Sequence, residues 1–226
     1  MALEGRLIMD HRAVLQKTES FAREHHHGEA SGHDWWHIDR VRTLALKLQE
    51  TEGGDRFVIE LAALLHDIAD YKLAGNGDVT AGERAARAWL MGLGVDVGVV
   101  EHVGLIIGSL SWKGAKVRTK MKTLEGKLVQ DADRLDGIGA IGIARVFAYG
   151  GFKGRALHDP TEAVQLHASF EEYRASKGGT INHVYERLLW HRAHLNTKSA
   201  RRIAKDRHAF LVLFLKRFHR EWEGKA

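Results

Sequence analysis

The chain has 226 residues, 44% of them hydrophobic and 28% charged, a balance that suits a globular protein and excludes a disordered or collagen-like chain. Cysteine is absent, so disulfide frameworks, thiol nucleophiles, cysteine zinc sites and iron–sulfur centres are excluded together. The net charge of +5 favours anionic partners, and 15 histidines are many for this length.

The first 30 residues contain Glu4, Asp10, Glu19 and Glu24 and no apolar run of signal-peptide length. The apolar runs at 59–65 and 210–215 are too short to cross a bilayer. A cytoplasmic location with no membrane partner is the expectation. After His37, apolar Val41, Leu44, Ala45 and Leu48 recur on one face of a helix. Residues 57–68 are apolar on most sides and read as a helix in the middle of a bundle. Thr80 and Glu83 have the spacing of a capping box, which predicts a helix through Ala85, Ala86 and Leu90. Gly150-Gly151 and Gly178-Gly179 read as loops between helices. Asp159-Pro160-Thr161-Glu162 predicts another helix start, with Pro160 at the first helical position. The segment 197–222 reads as a long helix with Ile203, Phe210, Phe214 and Phe218 on one side and Arg201, Arg202, Lys205 and Arg217 on the other. Alternating strand patterns are not visible. The expected fold is all-α, a compact helical bundle in one domain spanning 1–226, with a motif-bearing core at about 30–150 and C-terminal helices at 160–222 packed on it.

Three clusters concentrate the chemistry. The first is Gly32-His33-Asp34-Trp35-Trp36-His37-Ile38-Asp39-Arg40-Val41. The second runs Leu64-Leu65-His66-Asp67-Ile68-Ala69-Asp70-Tyr71-Lys72, and the third Val129-Gln130-Asp131-Ala132-Asp133-Arg134-Leu135-Asp136-Gly137. An imidazole and a carboxylate at the end of an apolar helix are costly to bury unless something satisfies them. A divalent cation does so, taking the imidazole lone pair and cancelling the carboxylate charge. His37 points to the same side as Val41, Leu44 and Leu48, toward the interior. Two His and two Asp form a mixed nitrogen and oxygen set suited to Mn, Fe, Mg, Ni or Zn, with positions left open for water and substrate.

The ordered pattern H…HD…D, set in the words G-H-D-W-W-H-x-x-R-V, L-L-H-D-I-A-D-Y-K and V-Q-D-A-D-R-L-D-G-I-G-A-I-G-I-A-R, resembles the HD-domain metal-dependent phosphohydrolases. Ile181-Asn182-His183 and the stretch 197–207 are similar too, so the resemblance spans residues 30–210. It implies an HD-type helical fold and one divalent ion held by His37, His66, Asp67 and Asp133, with Asp131 as the alternative fourth ligand. It implies a catalytic role for Asp70 near the attacking water. It makes Lys72, Arg40 and Arg134 phosphate contacts, with Lys72 counted among the catalytic residues. The implied substrate is a small nucleotide. The bacterial branch most similar to this chain implies cleavage of (deoxy)nucleoside triphosphates to monophosphate and pyrophosphate. The alternatives are a 5′-nucleotidase or a regulatory protein that keeps the metal and performs no turnover.

Other motifs point elsewhere and fail. Gly137, Gly139 and Gly142 match G-x-G-x-x-G, but three aspartates stand where the dinucleotide reading needs a strand, so the glycines suggest close helix packing. Asp131-x-Asp133 begins like a calcium loop, but Leu135 occupies the third ligand position. His33 and His37 lack the intervening Glu of a zinc protease helix. Asp136 reads as a residue that orients its neighbours, and His102 matches the ligand pattern poorly. The basic face of the last helix reads as solvated, so nucleic acid is not an expected partner, and a homodimer is compatible with the pattern.

Overall fold

The fold was obtained as a computed structural model, in which residues 10–68, 78–117 and 120–225 are described. Among these residues the secondary structure is helical throughout, with no strand. The order is α1 (His11–His25), α2 (Trp35–Glu52), α3 (Arg56–Leu65), α4 (Ala81–Gly92), α5 (Val97–Leu110), α6 (Leu124–Asp136) and α7 (Gly139–Phe152). There follow α8 (Phe170–Ala175), α9 (Thr180–His183), a π-helical turn (Val184–Leu188), α10 (Leu189–His191), a 3₁₀ turn (Arg192–His194) and α11 (Lys198–Trp222).

Aspartates start most of the early helices. Asp10, Asp34, Asp55 and Asp96 each accept a backbone N–H from the first turn of α1, α2, α3 and α5. Thr123, Ser169 and Thr197 do the same for α6, α8 and α11. Each such cap stabilises its helix by about 1 kcal/mol.

Helix α3 is the axis of the bundle. It packs against α1, α2, α5 and α6, and every residue from Phe57 to Leu65 is buried. Its one charged residue among these, Glu60, accepts from Arg42 Nε at 2.8 Å, and Arg42 also reaches Glu19 on α1 at 3.0 Å. A buried carboxylate is tolerated there because a guanidinium satisfies it. Helix α11 lies across α7, α6 and α2. One contiguous apolar core runs from Val14 on α1 to Leu215 on α11.

Several local expectations are corrected. Thr80 does precede α4, but it makes no side-chain cap. Its hydroxyl donates to Asp78 at 2.8 Å, and Glu83 pairs with Arg87 one turn on, so the reciprocal box does not form. No helix starts at Pro160. Asp159 accepts from the backbone and hydroxyl of Thr161, closing a local turn, and Glu162 turns its carboxylate to Gly179 N–H at 2.8 Å. Gly150 and Gly151 are not a loop; they form the last turns of α7. A Cβ on Gly150 would lie 2.2 Å from Thr180 Oγ1, so this glycine permits close approach to α9. On α11 the buried stripe is Ala200, Ala204, Leu211 and Leu215, while Phe210 is 48% exposed. The glycine run does serve close packing, since a Cβ on Gly142 would meet the Gly137 carbonyl carbon at 2.3 Å.

Candidate metal centre and its cleft

Four side chains converge where α2, the turn after α3, and α6 meet. His37 stands in the first turn of α2, whose start is fixed by Asp34 accepting the His37 N–H at 3.0 Å. His66 and Asp67 directly follow the last residue of α3, and Asp133 projects from α6. His37 Nε2 and His66 Nε2 are 3.1 Å apart. Asp67 Oδ2 lies 3.3 Å from His37 Nε2 and 3.6 Å from His66 Nε2. Asp133 Oδ1 lies 3.5 Å from His37 Nε2.

The imidazole protonation pattern tests whether these residues suit a cation. His66 Nδ1 lies 2.8 Å from the Ala63 carbonyl, and His37 Nδ1 lies 2.8 Å from Asp136 Oδ2. Both partners are acceptors, so each Nδ1 carries the hydrogen. Each Nε2 then presents a lone pair, and the two lone pairs face one another. They repel unless a positive charge sits beside both. Donor atoms held about 2.1 Å from a metal stand about 3.0–3.4 Å apart, close to the spacings found here. The cluster therefore fits a divalent ion.

Charge around the cluster is balanced in layers. Burial opposes the ionised form of Asp67, but His66 and His33 outweigh it and hold the carboxyl well below the usual range. Asp133 is also held low: burial opposes its ionised form, and the neighbouring imidazoles of His66 and His37 favour it. His33 Nδ1 lies 2.7 Å from Asp67 Oδ2. Behind His37, Asp136 accepts from Arg40 Nε at 2.7 Å and from Arg145 Nη1 at 3.1 Å. Arg145 is further anchored by Gly32 O at 2.7 Å.

Side-chain exposure rises from 0% at His37 and 2% at His66 to 11% at Asp67 and 29% at Asp133. The open side of the cluster is thus the carboxylate side. It faces a cleft. Asp67, Asp133, His33 and Arg145 line it together with Tyr149, His183, Arg187 and His191. The π-helical turn places Arg187 and Leu188 in the wall, as such turns often do at functional sites.

The structure separates the sequence candidates. His37, His66, Asp67 and Asp133 come together. Asp131, two residues before Asp133 on the same helix, is fully buried on another side. Its carboxylate accepts from the Asn196 and Thr197 backbone N–H groups at 2.8 Å each and from both their side chains. Asp131 therefore holds the entry to α11 and stands apart from the cluster. Arg40 braces Asp136. Arg134 is not among the residues lining the cleft; it donates to the His194 carbonyl and lies 5.9 Å from the Trp112 ring centre. His102 lies 3.5 Å from Glu125. Asp70 and Lys72 lie outside the described residues. Sequence reasoning missed Arg145, Arg187, Tyr149 and His191 as parts of the site. Arg145 does close the third motif word, which was a signal for it. Arg187 stands in no such word.

The comparisons with known proteins agree with this geometry. Residues 35–138 match the family model of the HD domain. The chain is 34% identical over 197 residues to the Bacillus subtilis (strain 168) protein YpgQ, covering 87% of each. A crystal structure of YpgQ in complex with ADP covers 94% of this chain and 100% of its own, with 31% identity and a TM-score of 0.72. A crystal structure from Lactobacillus plantarum covers 99% of this chain and 100% of its own, with 33% identity and a TM-score of 0.84. An HD-superfamily hydrolase from Bacillus thuringiensis is 42% identical, with a TM-score of 0.70 over 95% of this chain and 99% of that one. With the motif residues gathered at one cluster and relatives matched along most of its length, the chain belongs to the HD-domain family of metal-dependent phosphohydrolases.

Proposed function

We propose that His37, His66, Asp67 and Asp133 hold one divalent ion and that the enzyme hydrolyses (deoxy)nucleoside triphosphates to the monophosphate and pyrophosphate. The observation that carries this reading is the facing pair of imidazole lone pairs, flanked by two carboxylates, on the floor of a cleft whose walls carry guanidinium groups. When bound, the ion supplies Lewis acidity toward water and toward a phosphoryl oxygen. A nucleotide substrate is supported by the ADP complex of the relative YpgQ.

The chain's own groups do the remaining work. His37 is kept in one tautomer by Asp136, so its Nε2 is always available as a donor atom. Arg187, which also lines the cleft, offers positive charge to phosphate oxygens. Water oxygen forms the new bond to the α-phosphorus. The oxygen bridging the α- and β-phosphates leaves with both electrons of the broken bond, as pyrophosphate. Following the family resemblance, Asp70 takes the proton of the attacking water and Lys72 contacts phosphate.

The test is turnover of a nucleotide panel with Mn²⁺, with orthophosphate and pyrophosphate assayed separately and Asp67→Ala as control. Pyrophosphate released by the wild type and absent with the variant is the expected result. Orthophosphate from monophosphates replaces the reading with a nucleotidase. No product from any nucleotide, with metal bound, overturns it.

A further inference from the structure

A second cleft, of about 640 Å³, adjoins the first. Tyr149 and His183 line both, so the two spaces share a wall. The second cleft is rich in cations. Lys153 and Arg155, at and just after the end of α7, and Lys177, in the segment before α9, all line it. Its one carboxylate among the described residues, Glu162, already accepts the Gly179 N–H at 2.8 Å.

The cations are arranged around the dividing wall. The Lys153 ammonium lies 5.7 Å from the Tyr149 ring centre, and the Arg155 guanidinium carbon 5.8 Å from the same ring. Arg155 is held in place: its Nη2 donates to Ser176 O at 3.0 Å and its backbone N–H to Gly150 O at 2.8 Å. On the side of the first cleft, Arg187 donates to the Tyr173 hydroxyl at 2.8 Å, and Tyr173 lines the second. Arg187 thus stands in the first cleft, and Lys153, Arg155 and Lys177 in the adjoining one.

Resting on the reading above, we propose that this second cleft binds the distal phosphates of the substrate, the part that leaves as pyrophosphate, through Lys153, Arg155 and Lys177. A phosphorus at the cluster leaves the rest of a triphosphate to be accommodated in the adjoining space. That space offers cations and a single, already engaged carboxylate. An uncharged nucleobase gains little from three cations, whereas a pyrophosphate group meets charge on several of its oxygens.

The test uses Lys153→Ala/Lys177→Ala. Both side chains are exposed, so the double variant should fold. Titration of pyrophosphate into the Mn²⁺-loaded protein should show binding weakened about tenfold, with orthophosphate binding moved far less. KM for a triphosphate should rise by a similar factor. Unchanged pyrophosphate affinity and unchanged KM overturn the proposal. A KM change that follows the base and ignores the number of phosphates also overturns it and gives the cleft to the base. If the wild type releases no pyrophosphate from any triphosphate, the proposed reaction fails. The pyrophosphate titration then still decides the subsite: weakened binding in the variant upholds it, and equal binding removes it.

Discussion

His37 Nδ1 lies 2.8 Å from Oδ2 of Asp136, a residue 99 positions further along the chain. This single contact joins the first turn of α2 to the last residue of α6 and sets which nitrogen of His37 faces the cluster. Asp136 is held well below the usual carboxylate range, because its bonds from His37 and Arg40 outweigh the effect of burial. Asp136→Asn should keep the shape but lose the charge that Arg40 and Arg145 neutralise. Metal affinity should fall about 10- to 100-fold, the usual cost of losing such a partner. Competition with a fluorescent chelator measures it, and an unchanged affinity would falsify the orienting role.

Asp131 and Asp133 are two residues apart and should give opposite phenotypes. Asp133→Ala should lose metal and turnover while unfolding near the wild-type midpoint measured without metal. Asp131→Ala removes the acceptor of two backbone N–H groups and two side-chain donors. It should cost about 3 kcal/mol of stability and still bind metal at low temperature. Metal content by atomic absorption, beside urea denaturation, separates the two. A metal-free Asp131→Ala that unfolds like wild type would exchange their roles.

Chelation should act on the fold as well as on activity. Without a metal ion, His37 Nε2 and His66 Nε2, 3.1 Å apart, have only a proton to share between them. A ligand present at 100 times its dissociation constant stabilises by about 2.7 kcal/mol through mass action. EDTA should therefore lower the melting temperature by several degrees, and excess Mn²⁺ should restore it. A melting temperature indifferent to both treatments contradicts the metal assignment.

Gly150 approaches Thr180 so closely that Gly150→Val leaves no room for its side chain. The variant should lose about 1–3 kcal/mol, the usual range for overpacking. Adding Thr180→Gly should recover part of that loss, which equilibrium unfolding of the double variant checks. Full additivity of the two substitutions counts against a direct clash.

His191 should make stability depend on pH. It is fully buried with its ring 4.8 Å from Trp112, and burial, aided by the charges of Arg187 and Arg134, pushes its pKa well below the ordinary value. The unfolded chain takes up a proton below about pH 6.5, and the folded chain does not. Stability from this residue is therefore complete above that pH and falls as the solution is acidified, by up to about 1.4 kcal/mol per pH unit. In urea titrations between pH 7.5 and 5.5, His191→Phe should show a shallower slope than wild type. Equal slopes sink the assignment.

The run of helices could be read from the sequence because it is periodic, and the candidate ligands because they stand in words that resemble a known family. Val41, Leu44, Ala45 and Leu48 mark the inner face of α2, and His66-Asp67 end an unmistakable apolar run. The choice between Asp131 and Asp133 needed the helix rotation, which a two-residue spacing leaves open until the partner helices are in place. Pro160 misled because its neighbours Asp159 and Glu162 spend their carboxylates on Thr161 and Gly179. Gly150 misled because a glycine that admits a crossing helix has the same letter as one that ends a helix. Arg187 was hidden because a π-helical turn changes which side chains face inward, and no residue pattern marks that change.

From Phe57 onward helix α3 has no face that water reaches, and the residues right after it are two of the cluster's four. Residues 57–65 are buried in the packing, and the proposed ligands His66 and Asp67 follow with no position between the two. A saturation scan should therefore show 57–67 as one unbroken intolerant block, without the rhythm of permitted changes every three or four residues that a half-exposed helix displays. Inheritance of the site and inheritance of the core are, over this segment, the same constraint.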